Sequence, residues 1–151
     1  MRLRISWAVA WVVSVLLAGC GMGQQGPLTS SQFEEMKLRD VGELYRLHQI
    51  MAKKPPRSLK DFQMIGDADA PTGYGAVRSG EVVLRWQVTL PDTEVEPTTA
   101  TSNEVLAYIK TVPEKGGPVL MLDRQIRQMT AEEFKEAKLA GTDKEASRKS
   151  R

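Results

Sequence analysis

One histidine, one cysteine and two small acidic groupings are the side chains on which chemistry could rest in this 151-residue chain. A proton shuttle at His48 needs a partner and a pocket. Its neighbours one helical turn away are Leu44, Tyr45 and Met51, which predicts a packed or half-exposed histidine instead. With a single histidine and a single cysteine, a conventional zinc site is excluded. Asp67 and Asp69 form one acidic pair, and Asp92, Glu94 and Glu96 alternate along a second stretch. Calcium takes several carboxylate and carbonyl oxygens on a flexible loop, but neither stretch has a D-x-D-x-D-G run. A solvated loop is the favoured reading. Binding of calcium or a small ligand by the Asp92–Glu96 loop is the alternative. Thr98-Thr99-Ala100-Thr101-Ser102 is rich in hydroxyls but lies in neither a G-x-S-x-G elbow nor an S-x-x-K context. A carboxylate pair for glycoside hydrolysis lacks an aromatic cluster to hold a sugar. No catalytic residue, metal site or cofactor is assigned, and the chain is expected not to be an enzyme.

That leaves Cys20, whose meaning depends on what precedes it. Arg2 and Arg4 form a positive n-region. Ile5 to Leu17 is apolar apart from Ser6 and Ser14, a length that suits a secretory h-region and is too short for a confident transmembrane helix. Leu17-Ala18-Gly19-Cys20 closes the run. These four residues resemble a lipobox, the cut-and-lipidate site of bacterial lipoproteins. The resemblance implies cleavage before Cys20, a diacylglyceryl thioether on its sulfur, and attachment to the cell envelope. Each buried acyl CH₂ contributes ~0.8 kcal/mol, so two or three chains hold stably where one does not. Gly21 stands where an aspartate would resemble an inner-membrane retention signal. The periplasmic face of the outer membrane is therefore favoured if the cell is Gram-negative.

Cleavage removes two basic residues and no acid. The net charge of +2 then vanishes, nineteen acidic side chains facing as many basic ones. Nucleic acid is not an expected partner. About 130 residues remain, enough for one domain with a real core. No disulfide can staple it, because its only cysteine carries lipid.

Residues 20–28 read as a flexible tether with a mean reach of about 15 Å. Ser31 and Glu34 fit a capping box. Phe33, Met36, Val41, Leu44, Leu47, His48 and Met51 then predict one apolar face of a long helix, stopped by Pro55-Pro56. Ser58 to Phe62 reads as a short capped turn, and Asp67 to Gly75 as loop. Gly75–Arg78 and Glu81–Thr89 are expected to form a hairpin about Ser79-Gly80, with Val82, Leu84, Trp86 and Val88 on its buried face. Val105–Lys110 predicts a third strand. Pro118–Leu122 and Gln125–Met129 predict a last hairpin about Asp123-Arg124. Thr130 and Glu133 cap a short C-terminal helix ending near Leu139. Residues 140–151 are charged and are expected to form a disordered tail. With Lys138 counted, the tail is basic. It could touch anionic lipid, though a solubilising terminus is favoured. The fold class is α+β: a long N-terminal helix packed on an antiparallel sheet of about four to five strands, spanning residues 29–139.

Within that span the residues resemble a known family. Glu43-Leu44-Tyr45-Arg46 through Pro56-Arg57-Ser58-Leu59-Lys60-Asp61-Phe62 is similar to the end of the long helix and the following segment of major pseudopilins of type II secretion. Val119-Leu120-Met121-Leu122-Asp123 through Thr130-Ala131-Glu132-Glu133-Phe134 resembles the closing hairpin and helix of pilin-like proteins. The resemblance implies a pilin-like fold, and major pseudopilins carry a calcium loop between strands. Here a lipobox replaces the prepilin peptidase site, and Asp123-Arg124 replaces the usual Asp-Gly turn. The implied role is a solitary tethered domain that binds membrane lipid through acylated Cys20 and an unknown protein partner, not a filament subunit.

Overall fold

The computed structural model describes residues 28–95 and 101–141. The lipobox, most of the tether, Glu96 to Ala100 and the last ten residues lie outside that range. Helix α1 spans Ser30–Ala52. Its cap is Thr29, not Ser31: the Thr29 hydroxyl accepts from the Gln32 amide and Gln32 reaches back to the Thr29 amide. The S-x-x-E spelling two residues on is not the cap, because T-x-x-Q closes the same box and falls where the helix begins. Lys53 ends the helix in the left-handed region at φ 54°, ahead of the two prolines. Leu38, Val41, Leu44 and Tyr45 are fully buried, whereas Phe33 and Met51, at the two ends of the predicted face, are exposed.

A 3₁₀ turn at Leu59–Phe62 follows, capped as expected, with the Asp61 carboxylate accepting from the Arg57 and Ser58 amides. The expected loop and first strand beyond it are helical. Helix α2 spans Gln63–Asp69 and α3 spans Pro71–Ser79. Pro71 opens α3, where its missing N–H costs nothing. Gly80, expected in a hairpin turn, is instead the left-handed cap of α3 at φ 76°. Glycine at 66 and 73 reflects close packing. A Cβ on Gly66 would sit 2.4 Å from the Tyr74 ring, and one on Gly73 would sit 2.7 Å from the Val41 backbone nitrogen in α1.

Among the described residues five strands form one sheet: β1 at Val82–Leu84, β2 at Glu104–Ile109, β3 at Gly117–Met121, β4 at Ile126–Met129 and β5 at Lys138–Leu139. The order β1-β2-β3-β4 is antiparallel throughout, with the last hairpin as expected. Strand β5 lies parallel to β2, pairing with Glu104 and Val105 where β1 no longer covers that edge. The predicted long strand over 81–89 is cut to three residues. Gln87 turns the chain at φ 60° and its amide bonds the Pro56 carbonyl, so the segment leaves the ladder for α1.

Directly paired residues share a face. Leu84, Ala107 and Leu120 therefore point together, and Leu120 meets α1 at Gly42. Val83, Tyr108 and Val119 point the other way. There Tyr108 packs on Phe134 of α5, Ala131–Glu136, with ring centroids 4.6 Å apart. Between β2 and β3 the chain makes a one-turn helix, α4, at Val112–Lys115. The short C-terminal helix keeps its predicted Thr130–Glu133 box but ends three residues early, because Lys138 and Leu139 become β5. Ala140, placed in the tail by its sequence, is fully buried, and its amide bonds the Val105 carbonyl.

Candidate functional site

Helix α1 and the β3–β4 turn diverge to leave a groove of about 780 Å³. Glu35, Arg39, Asp40 and Glu43 line it from the helix, and Arg124 and Gln128 from the hairpin. Most of these polar groups are already engaged within the chain. Glu35 accepts from Gln128 Nε2 at 2.8 Å, and Asp40 accepts from the Gly73 amide at 3.2 Å. Glu43 pairs with Arg46, whose hydrogen bonds hold the Glu43 carboxyl below its ordinary range; the same pairing raises Arg46. Groups engaged in this way have little left for a substrate.

The described part of the acidic stretch, Asp92 to Val95, sits beside this groove, which Val95 helps to line, and two arginines hold it. Arg124 is in the left-handed region at φ 65°, with its side chain 7% exposed. Its guanidinium donates to the Glu94 carbonyl and lies 3.5 Å from Asp92 Oδ1. Arg46 donates to the Thr93 carbonyl at 3.3 Å. Asp92 also accepts from the Glu94 amide in a tight local turn. A calcium site needs carboxylates and carbonyls turned toward one empty centre. Here an arginine stands among them. Glu96 lies outside the described residues. Asp67 and Asp69 are exposed on α2, two residues apart and so on different sides of it.

His48 is packed as expected. It is buried, edge-on to Phe62 with centroids 6.1 Å apart, and its Nδ1 lies 3.1 Å from the Asp61 carbonyl. Its Nε2 has no hydrogen-bond partner among the described residues. It lies outside the lining of the groove. The Asp61 carboxyl next to it is held below its usual range by the Arg57 and Ser58 amides it caps. Burial pushes the Tyr45 hydroxyl well above the ordinary phenol range. Of the serine and threonine stretch, Thr98 to Ala100 lie outside the described residues, and Ser102 caps locally. Its Oγ accepts from the Glu104 amide and its amide donates to Asp123.

Among the described residues no three His, Cys, Asp or Glu side chains converge as metal ligands, and no helix is long and apolar enough to cross a membrane. Cys20, the one residue assigned a chemical role, lies outside the described residues. Sequence reasoning missed the two loop-binding arginines. The spacing of Glu43 and Arg46, one helical turn apart, was the only local signal for either. No protein-family model, curated protein or solved structure matches the chain.

Proposed function

We propose that this chain is a lipid-anchored envelope lipoprotein whose pilin-like domain has a structural or partner-binding role and no enzymatic one. The observation that carries the reading is Leu17-Ala18-Gly19-Cys20, placed directly after a basic n-region and a short apolar run. The domain body supports it in two ways. The cap of α1, Thr29, comes nine residues after Cys20, a spacing that suits a body held close to its anchor. Most polar groups of the groove between α1 and the β3–β4 turn are already engaged within the chain, which suits a binding scaffold better than a catalyst. The pilin-like assignment is supported by a long helix laid across an antiparallel β1–β4 sheet. Delivery to the periplasmic face of an outer membrane follows from Gly21 if the cell has one.

Growth with a clickable fatty acid tests the anchor. Wild-type protein takes up label and fractionates with membranes, and Cys20→Ala does neither. An unlabelled wild type overturns the reading. A pull-down from membranes with the same pair then identifies the protein partner.

A further inference from the structure

We infer that the N-terminal end of α1 rests on the lipid surface itself, with Leu28 and Phe33 as the side chains that enter the headgroup region. The inference rests on the lipoprotein reading and adds an orientation to it. Leu28 is 59% exposed and Phe33 42%. With Thr29 as the cap, they occupy the positions just before the cap and four residues after it. Those two positions meet on the same side of a helix start. The two side chains therefore stand on one side of the helix start. The Lys37 ammonium stands 4.4 Å from the centre of the Phe33 ring, on the side of the following turn.

Exposure alone does not choose this patch. Met51 at 66% and Met64 at 88% are more exposed. The tether chooses it. Seven residues separate Cys20 from Leu28, so even fully extended chain puts Leu28 within ~27 Å of the acylated residue. Met51 lies eighteen helical residues beyond Phe33, ~27 Å farther along α1. An apolar and aromatic pair held at that distance from a bilayer partitions into its interface, where aromatic rings are favoured. The far end of α1 and Met51 are then turned away from the membrane.

The test uses the full acylated protein, in which an introduced cysteine is the only free thiol. Ser31→Cys and, separately, Met51→Cys are labelled with an environment-sensitive fluorophore. The proteins are reconstituted in phosphatidylethanolamine and phosphatidylglycerol vesicles containing a spin-labelled quencher lipid. Emission from position 31 is expected to shift to the blue and be quenched, with position 51 unaffected. Adding Leu28→Ser and Phe33→Ser to the Ser31 probe abolishes the quenching. Equal quenching at both positions, or none at 31, overturns the inference. So does a blue-shifted but unquenched probe at 31, which means protein and not lipid covers the patch. Fatty-acid labelling of the same samples separates the two levels. Label without quenching removes only the orientation; no label removes the lipoprotein reading and this inference with it.

Discussion

The Tyr45 hydroxyl donates to the Val88 carbonyl at 2.9 Å and accepts from the Val88 amide at 3.0 Å. One side chain of α1 thus satisfies both backbone groups of a residue that the sheet has released. Gln49 does the same for Leu90, accepting from its amide at 2.9 Å and donating to its carbonyl at 3.4 Å. The segment after β1 is bound to the helix by side chains where a longer strand would have used a ladder.

Tyr45→Phe therefore leaves a buried amide and a buried carbonyl without their partner. The expected cost is about 2 kcal/mol, read as a melting temperature lower by ~5–10 °C. Urea unfolding should show a lower midpoint at unchanged slope. A loss of only a few tenths of a kcal/mol would mean the segment finds other partners.

Glycine spacing gives a paired test. Gly73→Ala drives a methyl into the Asp40–Val41 backbone of α1 and is expected to destabilise by about 1–3 kcal/mol. At Gly75, two residues on in the same helix, an added Cβ would meet nothing within 4 Å. Gly75→Ala should stabilise by ~0.4–1 kcal/mol through the unfolded chain. Similar effects at both positions would contradict the packing of α3 on α1.

Much of the architecture is legible from local signals. Helix α1, the capped turn at 58–62, strand β2, the β3–β4 hairpin and the α5 box each announce themselves by periodicity, caps or turns. The stretch from Asp67 to Arg78 is not legible, for a non-local reason. Its Gly73 looks like a loop residue until α1 is placed against it. Strand β1 is shorter than its alternation predicts, and nothing near Val88 reveals that Tyr45 takes over its hydrogen bonds. The alternation itself holds, since Val82, Leu84 and Val88 are all buried and Trp86 packs on Phe62 at 5.5 Å. His48 is readable from its helical neighbours. The role of Arg124 is not, because its partners lie thirty residues away.

Arg124 and the acidic loop supply a third test. Arg124→Ala should cost about 1–2 kcal/mol and speed amide exchange at Thr93, Glu94 and Val95. Calcium at millimolar concentration should leave the wild-type melting temperature unchanged. A calcium-dependent rise would restore the ion-binding reading of Asp92–Glu96.

The pH response follows from two carboxyls. Glu43 is lowered by the Arg46 guanidinium, and Asp61 by the amides of Arg57 and Ser58. A depressed carboxyl contributes stability that is complete above its ordinary value and lost as pH falls toward its folded one. The melting temperature should therefore be flat near neutrality and decline once pH enters the ordinary carboxylate range, about 4–5, and below. The double variant Glu43→Gln, Asp61→Asn should show a shallower decline. A slope that begins near neutrality would point to a different group.

The central claim is chemical and concerns Cys20. Its most direct measurement is the mass of the N-terminal fragment of protein purified from membranes. The predicted fragment begins at Cys20 and carries a diacylglyceryl group on sulfur. A fragment that begins at Met1, or at any residue with Cys20 unmodified, contradicts the account.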